Sequence, residues 1–311
     1  MKELHFYIMN GHVLVTHRIK MSDNEYSELS NARKVLSRIL NHEELYDQVI
    51  ESYVDAKSVM YEMSVRVISN SVTCDYVKNH DCRSKLNRLF FNSLNLSKRY
   101  LDDHYREHKN IDGNIVKITC FVNKITDSEN DKEEIKSHRD KIYHENSEYV
   151  VGCELRNYVQ HASLPVRTFT SGFRTRPEDN QNFAVFHVPL DKQALIDGGV
   201  NKNKLSNYGD KIDLHEIMDG YIYAISEMHL KSRSLVKNKM DESIEVINAK
   251  RRQVELEYDC LLNDIDVVDT EKGERLFSLN LEWFSVVKHL QSKNSHLLNF
   301  KRFTHRPYQQ I

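Results

Sequence analysis

Glycine and proline, the residues that most readily interrupt regular backbone structure, are scarce in this chain. There are 9 Gly and 4 Pro among 311 residues. Because so few positions favour a break or a tight turn, long uninterrupted helices are favoured over a turn-rich β-sandwich. The hydrophobic fraction of 40% and the charged fraction of 29% are typical of a globular protein that can bury a sizeable core. We therefore predict a mainly α-helical fold.

Helical spacing of apolar residues recurs over five stretches, at about residues 24–39, 43–67, 84–108, 127–161 and 214–261. We expect the fourth stretch to be broken near residues 144–146. It should end at Leu164-Pro165, because a residue that precedes proline is disfavoured in the helical region. These stretches predict a helical bundle.

Short β-leaning segments accompany the helices. Runs at residues 4–9 and 12–19 flank Asn10-Gly11, which suits a type I′ turn and predicts an N-terminal hairpin. Residues 168–173 and 183–188 resemble a second strand pair, while residues 115–125 fit a strand or a helix. We predict three parts: the hairpin at residues 1–20, a helical domain at 21–265 with a short β insertion near 166–190, and a basic segment at 266–311.

The cysteines and the apolar runs bear on the location of the protein. Five cysteines are scattered without a CxxC pair, which fits a reducing cytosol and predicts neither a disulfide framework nor a metal site. No apolar run reaches the length of a membrane span, and the N-terminus lacks a signal-peptide pattern. We expect a cytoplasmic protein that has no membrane contact and needs no cofactor. The net charge of −2 neither supports nor excludes a nucleic-acid partner.

The segment with the clearest chemical meaning runs from Arg156 through Asn157 to His161, near the end of the fourth helical stretch. On a helix, Asn157 and His161 are four residues apart and share one face, and the long Arg156 side chain can reach the same cleft. Histidine titrates near neutrality, so it can transfer a proton to or from a ribose or phosphate-ester oxygen. The guanidinium group matches two phosphate oxygens. These residue types suit RNA cleavage without a metal ion.

Arg, a polar residue, three further residues and His form a pattern that resembles the signature of the HEPN superfamily, and the resemblance extends over about residues 24–261. It implies a HEPN-like helical bundle with small β-hairpin decorations. It further implies a metal-independent endoribonuclease with Arg156, His161 and Asn157 at the active site, and RNA products that end in a 2′,3′-cyclic phosphate. Such enzymes typically act as homodimers with a composite active site. Many are toxins or antiviral defence effectors, which would imply an antitoxin or a defence-system partner.

The same Arg-to-His spacing occurs twice more. Arg139 and His144 form an alternative catalytic pair, with Asp140 in the second position, whereas Arg99 and His104 depart from the pattern because Tyr100 follows the arginine. The Arg156 motif is favoured because it precedes a clean helix end and follows an apolar flank. Arg139 instead adjoins the charged run at residues 131–136, which is typical of a solvated face. A purely structural Arg–His pair is the remaining interpretation.

Two basic regions are candidates for contact with RNA, although their charges could also simply be solvated. They comprise Arg167, Arg174 and Arg176 beyond the motif, and Lys301 and Arg302 in a tail that has no acidic residue. The leading hypothesis is thus an endoribonuclease. The alternatives are a catalytically silent HEPN-type module that binds RNA or nucleotide or dimerises within a larger complex, and a structural helical interaction protein.

Overall fold

The computed structural model describes residues 1–10, 12–69, 76–175, 177–178, 180 and 182–300. Within these ranges the chain forms eight α-helices and ten β-strands, and the strands make small antiparallel pairings. The predicted mainly helical class is therefore confirmed. Among the residues described, no helix combines the length and the apolar character needed to cross a bilayer.

Most of the chain lies in helices of very different lengths. They are α1 (Asp23–Ser69), α2 (Tyr76–His104), α3 (Phe121–Thr126), α4 (Glu129–Glu145), α5 (Ser147–His161), α6 (Lys192–Asp197), α7 (Leu214–Glu257) and α8 (Ser285–Lys293). Short 3-10 helices form at Lys202–Leu205 and Glu282–Phe284. The strands are β1 (Lys2–Asn10), β2 (Val13–Lys20), β3 (Tyr105–Lys109), β4 (Ile115–Cys120), β5 (Thr170–Thr175), β6 (Asn182–His187), β7 (Pro189–Asp191), β8 (Lys211–Asp213), β9 (Ile265–Asp269) and β10 (Glu274–Ser278).

Helix α1 joins two stretches that the sequence predicts as separate helices at 24–39 and 43–67. It runs for 47 residues without interruption. No glycine or proline occurs at residues 40–42, and His42 and Glu43 are buried, so nothing there requires a break. Its start is fixed by a capping box, in which the Ser22 hydroxyl accepts from the Glu25 backbone N–H (3.2 Å) and the Glu25 carboxylate accepts from the Ser22 N–H (2.9 Å).

The chain divides into two compact units. The first contains Met1–Glu44, Lys124–Asp127 and Arg233–Ser295. It holds an antiparallel sheet in the order β10-β9-β1-β2. The predicted β1–β2 hairpin is confirmed, but it is part of this larger sheet because β9 pairs with β1.

The second unit contains Leu45–Asn123, Ser128–Ser232 and His296–Ile311. Its core is formed by apolar side chains of α1, α2, α5 and α7. The predicted strand pair near 168–188 is confirmed as the β5–β6 hairpin. Residues 115–125, for which the sequence fits either a strand or a helix, divide into β4 and α3. The helix predicted at 84–108 begins earlier, at Tyr76, and ends at His104, where β3 follows.

A buried ion pair links α1 and α7 inside the second unit. The Lys57 ammonium lies 2.9 Å from the Asp219 carboxylate, and the two side chains are 7% and 6% exposed. The Tyr53 hydroxyl also donates to Asp219, and burial holds the pKa of Tyr53 well above its ordinary value. Because both charges are removed from water, each depends on the other for compensation.

We predict that Asp219→Ala lowers the free energy of unfolding by about 3–5 kcal/mol, because it leaves a buried ammonium group unpaired. The double variant Lys57→Met/Asp219→Leu should lose much less, since it removes both charges and retains apolar volume. Urea unfolding measures both values. Equal losses in the single and double variants would contradict the ion-pair explanation.

Candidate functional site

Asn146 separates the two helices that carry the competing Arg-to-His motifs, which confirms the predicted break. Its backbone N–H donates to the Ile142 carbonyl (2.9 Å) and ends α4, while its side-chain oxygen accepts from the Tyr149 N–H (2.7 Å) and starts α5. The same residue therefore caps both helices. As a result, the Arg139 motif lies on α4 and the Arg156 motif on α5.

Close packing against α7 fixes which face of α5 points outward. A Cβ atom at Gly152 would lie 2.5 Å from the Tyr221 ring, and one at Gly220 would lie 2.4 Å from the Glu148 Cβ. Neither position could carry a side chain without displacing its neighbour. The inward face of α5 consists of buried residues: Tyr149, Val151, Gly152, Leu155, Tyr158 and Val159. Arg156, Asn157 and His161 are not among these buried residues.

Arg156, Asn157 and His161 differ in their exposure to solvent. Asn157 and His161 are exposed and Arg156 is half-buried. The Arg156 Nη1 donates to the Asn157 side-chain oxygen at 3.0 Å. The Arg156 Nε is buried and has no hydrogen-bond partner within the described part of the chain. A guanidinium group thus stands beside an amide, with one of its donors unused.

The residues around the motif have structural partners of their own. The Glu154 carboxylate lies 2.8 Å from the Lys204 ammonium group. The Gln160 side chain donates to the Asn95 side-chain oxygen of α2 at 2.5 Å. Burial raises the pKa of Cys153 to about 11, so its thiol is protonated at neutral pH and is a poor nucleophile.

The alternative arginine, Arg139, is engaged by its surroundings. Its guanidinium carbon lies 4.4 Å from the Tyr105 ring centroid, and its Nη2 donates to Asp140 at 2.8 Å. An adjacent carboxylate and an aromatic face already satisfy much of this cation. His144 is exposed at the end of α4. In the third Arg-to-His pair, Arg99 and His104, the histidine is 1% exposed and stacks on Tyr100, so it is inaccessible to a substrate.

Asn87 positions the chain that follows the motif helix, and this role was not predicted from the sequence. This buried residue of α2 donates to the Val166 carbonyl (2.9 Å) and accepts from the Val166 N–H (2.7 Å). The two bonds hold the chain that leaves α5 against α2. An asparagine between Leu86 and Phe90 on the apolar side of α2 was the available signal, because a buried amide requires partners.

The predicted RNA-binding residues fall in different parts of the chain. Arg167 is exposed, and its guanidinium donates to the Ser163 hydroxyl at 3.1 Å. Arg174 belongs to β5, but its side chain lies outside the described part, as do Arg176, Lys301 and Arg302 altogether. The predicted RNA contacts of these four side chains remain predictions.

The comparisons with known proteins give no relative for this chain. No protein-family model matches it, and no curated protein or solved structure does. The described residues contain no group of three or more His, Cys, Asp or Glu side chains arranged to hold a metal ion.

We predict that Asn87→Ala lowers the free energy of unfolding by about 2–4 kcal/mol, because it leaves the buried N–H and C=O of Val166 without partners. Asn92→Ala removes an exposed amide from the same helix and should change stability by less than about 0.5 kcal/mol. Chemical denaturation of the two variants measures this difference. Equal stability would show that the Asn87 contacts contribute little.

Proposed function

We propose that this protein is a metal-independent endoribonuclease of the HEPN type, with Arg156, Asn157 and His161 in its active site. The observation that supports this best is the arrangement of α5, which exposes an amide and an imidazole and holds a half-buried guanidinium beside the amide, while its other face is packed in the core. Rigid seating of the helix limits motion of its side chains, which favours catalysis by preorganised groups.

In this proposal, His161 transfers protons. Attack of a ribose 2′-hydroxyl forms a 2′-oxygen–phosphorus bond and breaks the bond from phosphorus to the 5′-oxygen. The 2′-hydroxyl must lose a proton and the departing 5′-oxygen must gain one. The products are a 2′,3′-cyclic phosphate and a 5′-hydroxyl. His161 makes no hydrogen bond to the described residues, so its imidazole is available for either step.

Arg156 would bind the phosphate and stabilise the charge that develops on it. Asn157 holds one terminal nitrogen of the guanidinium, and the buried Nε lacks a partner. The buried Nε is closed to a bound ion, so a phosphate oxygen would accept from the terminal nitrogen that Asn157 leaves unused.

We further propose that the active form is a homodimer. One His161 per chain supplies one imidazole, whereas the reaction has two proton transfers. Two α5 helices placed side by side across a two-fold axis would contribute two imidazoles and two guanidinium groups to one cleft. The proposed class includes toxins and antiviral defence effectors, so we propose that an antitoxin or a defence-system partner restrains the activity.

The test is cleavage of mixed cellular RNA by the purified protein in the presence of EDTA. We expect the wild-type protein to cut RNA, and His161→Ala and Arg156→Ala each to reduce the rate by about 100-fold or more, because proton transfer and phosphate stabilisation each contribute at least that much. His144→Ala is the matched control, since it removes an exposed histidine near the end of α4. It should retain the wild-type rate.

Each other outcome has a definite meaning. Loss of cleavage in His144→Ala alone would move the site to Arg139 and His144. Cleavage that EDTA abolishes would contradict the metal-free mechanism. Binding of RNA without cleavage by the wild-type protein would favour the catalytically silent binding module.

A further inference from the structure

A cavity of about 620 Å³ lies beyond the C-terminal end of α5, in the second unit. The first turns of α2 form one wall, and the chain that leads into β5 forms the other. The lining residues include Tyr76, His80, Arg83, Arg167 and Phe169. No acidic residue is among these described lining residues, so the cavity is suited to an anion.

Two arginines give the cavity its charge. Arg83 donates to the Arg167 carbonyl at 3.2 Å and to the His80 Nδ1 at 3.2 Å, and this nitrogen must accept because arginine has only donors. Arg167 directs its Nε and Nη2 to the Ser163 hydroxyl. Within the described chain, neither guanidinium pairs with a carboxylate. Each retains unused donors, and a phosphate between them would relieve the repulsion of two like charges.

Aromatic rings accompany these cations. Phe169 stacks on the fully buried Phe186, with ring centroids 5.7 Å apart and an interplanar angle of 4°, so its position in the cavity wall is fixed. Tyr76 is 88% exposed at the first residue of α2. An exposed aromatic ring beside unpaired arginines is the combination that single-stranded nucleic acid uses, because bases stack on the ring while cations bind the backbone.

Helix α2 connects this cavity to the motif helix. Arg83, Asn87, Phe91 and Asn95 follow one another at four-residue spacing, so they form one row along α2. Contacts from this row reach Arg167, Val166 and Gln160 in turn. Phe91, between the two asparagines, is 37% exposed. The row from Asn95 to Arg83 spans about 18 Å at the rise of an α-helix, a distance that a short stretch of extended RNA can cover.

We propose that the cavity binds one nucleotide of a single-stranded RNA that continues along α2 from the Arg156–His161 site. Arg83 and Arg167 bind its phosphate, and Tyr76 stacks on its base. The identity of the polymer rests on the proposed function. Binding in the cavity does not rest on the proposed function, since the cavity lies apart from the motif residues and takes no part in cleavage.

The test is binding of a fluorescein-labelled, unstructured RNA oligonucleotide to the full chain, with His161→Ala as background so that the RNA stays intact. Arg83→Ala and Arg167→Ala should each weaken binding about 5-fold or more and lower the slope of log affinity against log salt by about 0.7, the value for one lost phosphate contact with a single strand. Tyr76→Ala should weaken binding about 5-fold or more without altering the slope, because stacking is not ionic.

Arg106→Ala is the matched control, because Arg106 is an exposed arginine on β3 in the same unit. It should bind RNA within about twofold of the background protein, as expected for a cation that contacts no phosphate. Since Tyr76 is so exposed, its variant also remains informative if an arginine variant fails to fold.

Three results would overturn the proposal: no RNA binding by the background protein, affinities of the three cavity variants that match Arg106→Ala, or equally tight competition by free adenosine monophosphate, which would assign the cavity to a free nucleotide. The two proposals fail separately. Arg83-dependent binding by a protein that never cuts RNA would support the cavity and refute the nuclease. Cleavage of RNA by the wild-type protein, together with an RNA affinity that none of the three cavity substitutions changes, would do the reverse.

Discussion

The double hydrogen bond between the Asn87 side chain and the Val166 backbone is the contact on which the candidate site depends. Val166 follows Pro165, five residues beyond the end of the motif helix, and its N–H and C=O are buried, so both require partners. One amide group supplies both. It thereby ties the exit of α5 to α2, which also brings Arg167 to Arg83. The motif and the cavity are thus supported by the same helix.

The long helices could be predicted from sequence because their signals are local. Asn146 caps two helices through its own side chain and backbone, and Pro165 excludes further helix, so α4 and α5 followed from neighbouring residues. Strands β9 and β10 were not predicted. Each has five residues, and β9 is stabilised by pairing with β1, which lies more than 250 residues away in sequence. Such long-range pairing leaves almost no trace in a short segment.

The same contrast applies to the site. The common face of Asn157 and His161 follows from helical periodicity, and the structure has both exposed. The contact between Arg139 and an aromatic ring could not be predicted from the sequence, because the Tyr105 ring comes from a strand that is distant in sequence. Arg83 was likewise missed, since its role depends on the position of Arg167. The net charge of −2 gave no sign of this local pair of cations.

The measurement that tests the central claim most directly is the chemistry of the RNA ends after incubation with the purified protein in EDTA, beside a DNA of the same sequence. A nuclease that uses the ribose 2′-hydroxyl must leave 2′,3′-cyclic phosphate and 5′-hydroxyl ends, and it cannot cut the DNA. Our account predicts that result, with the products absent in His161→Ala. Products with 3′-hydroxyl ends, or cleavage of the DNA, would contradict it.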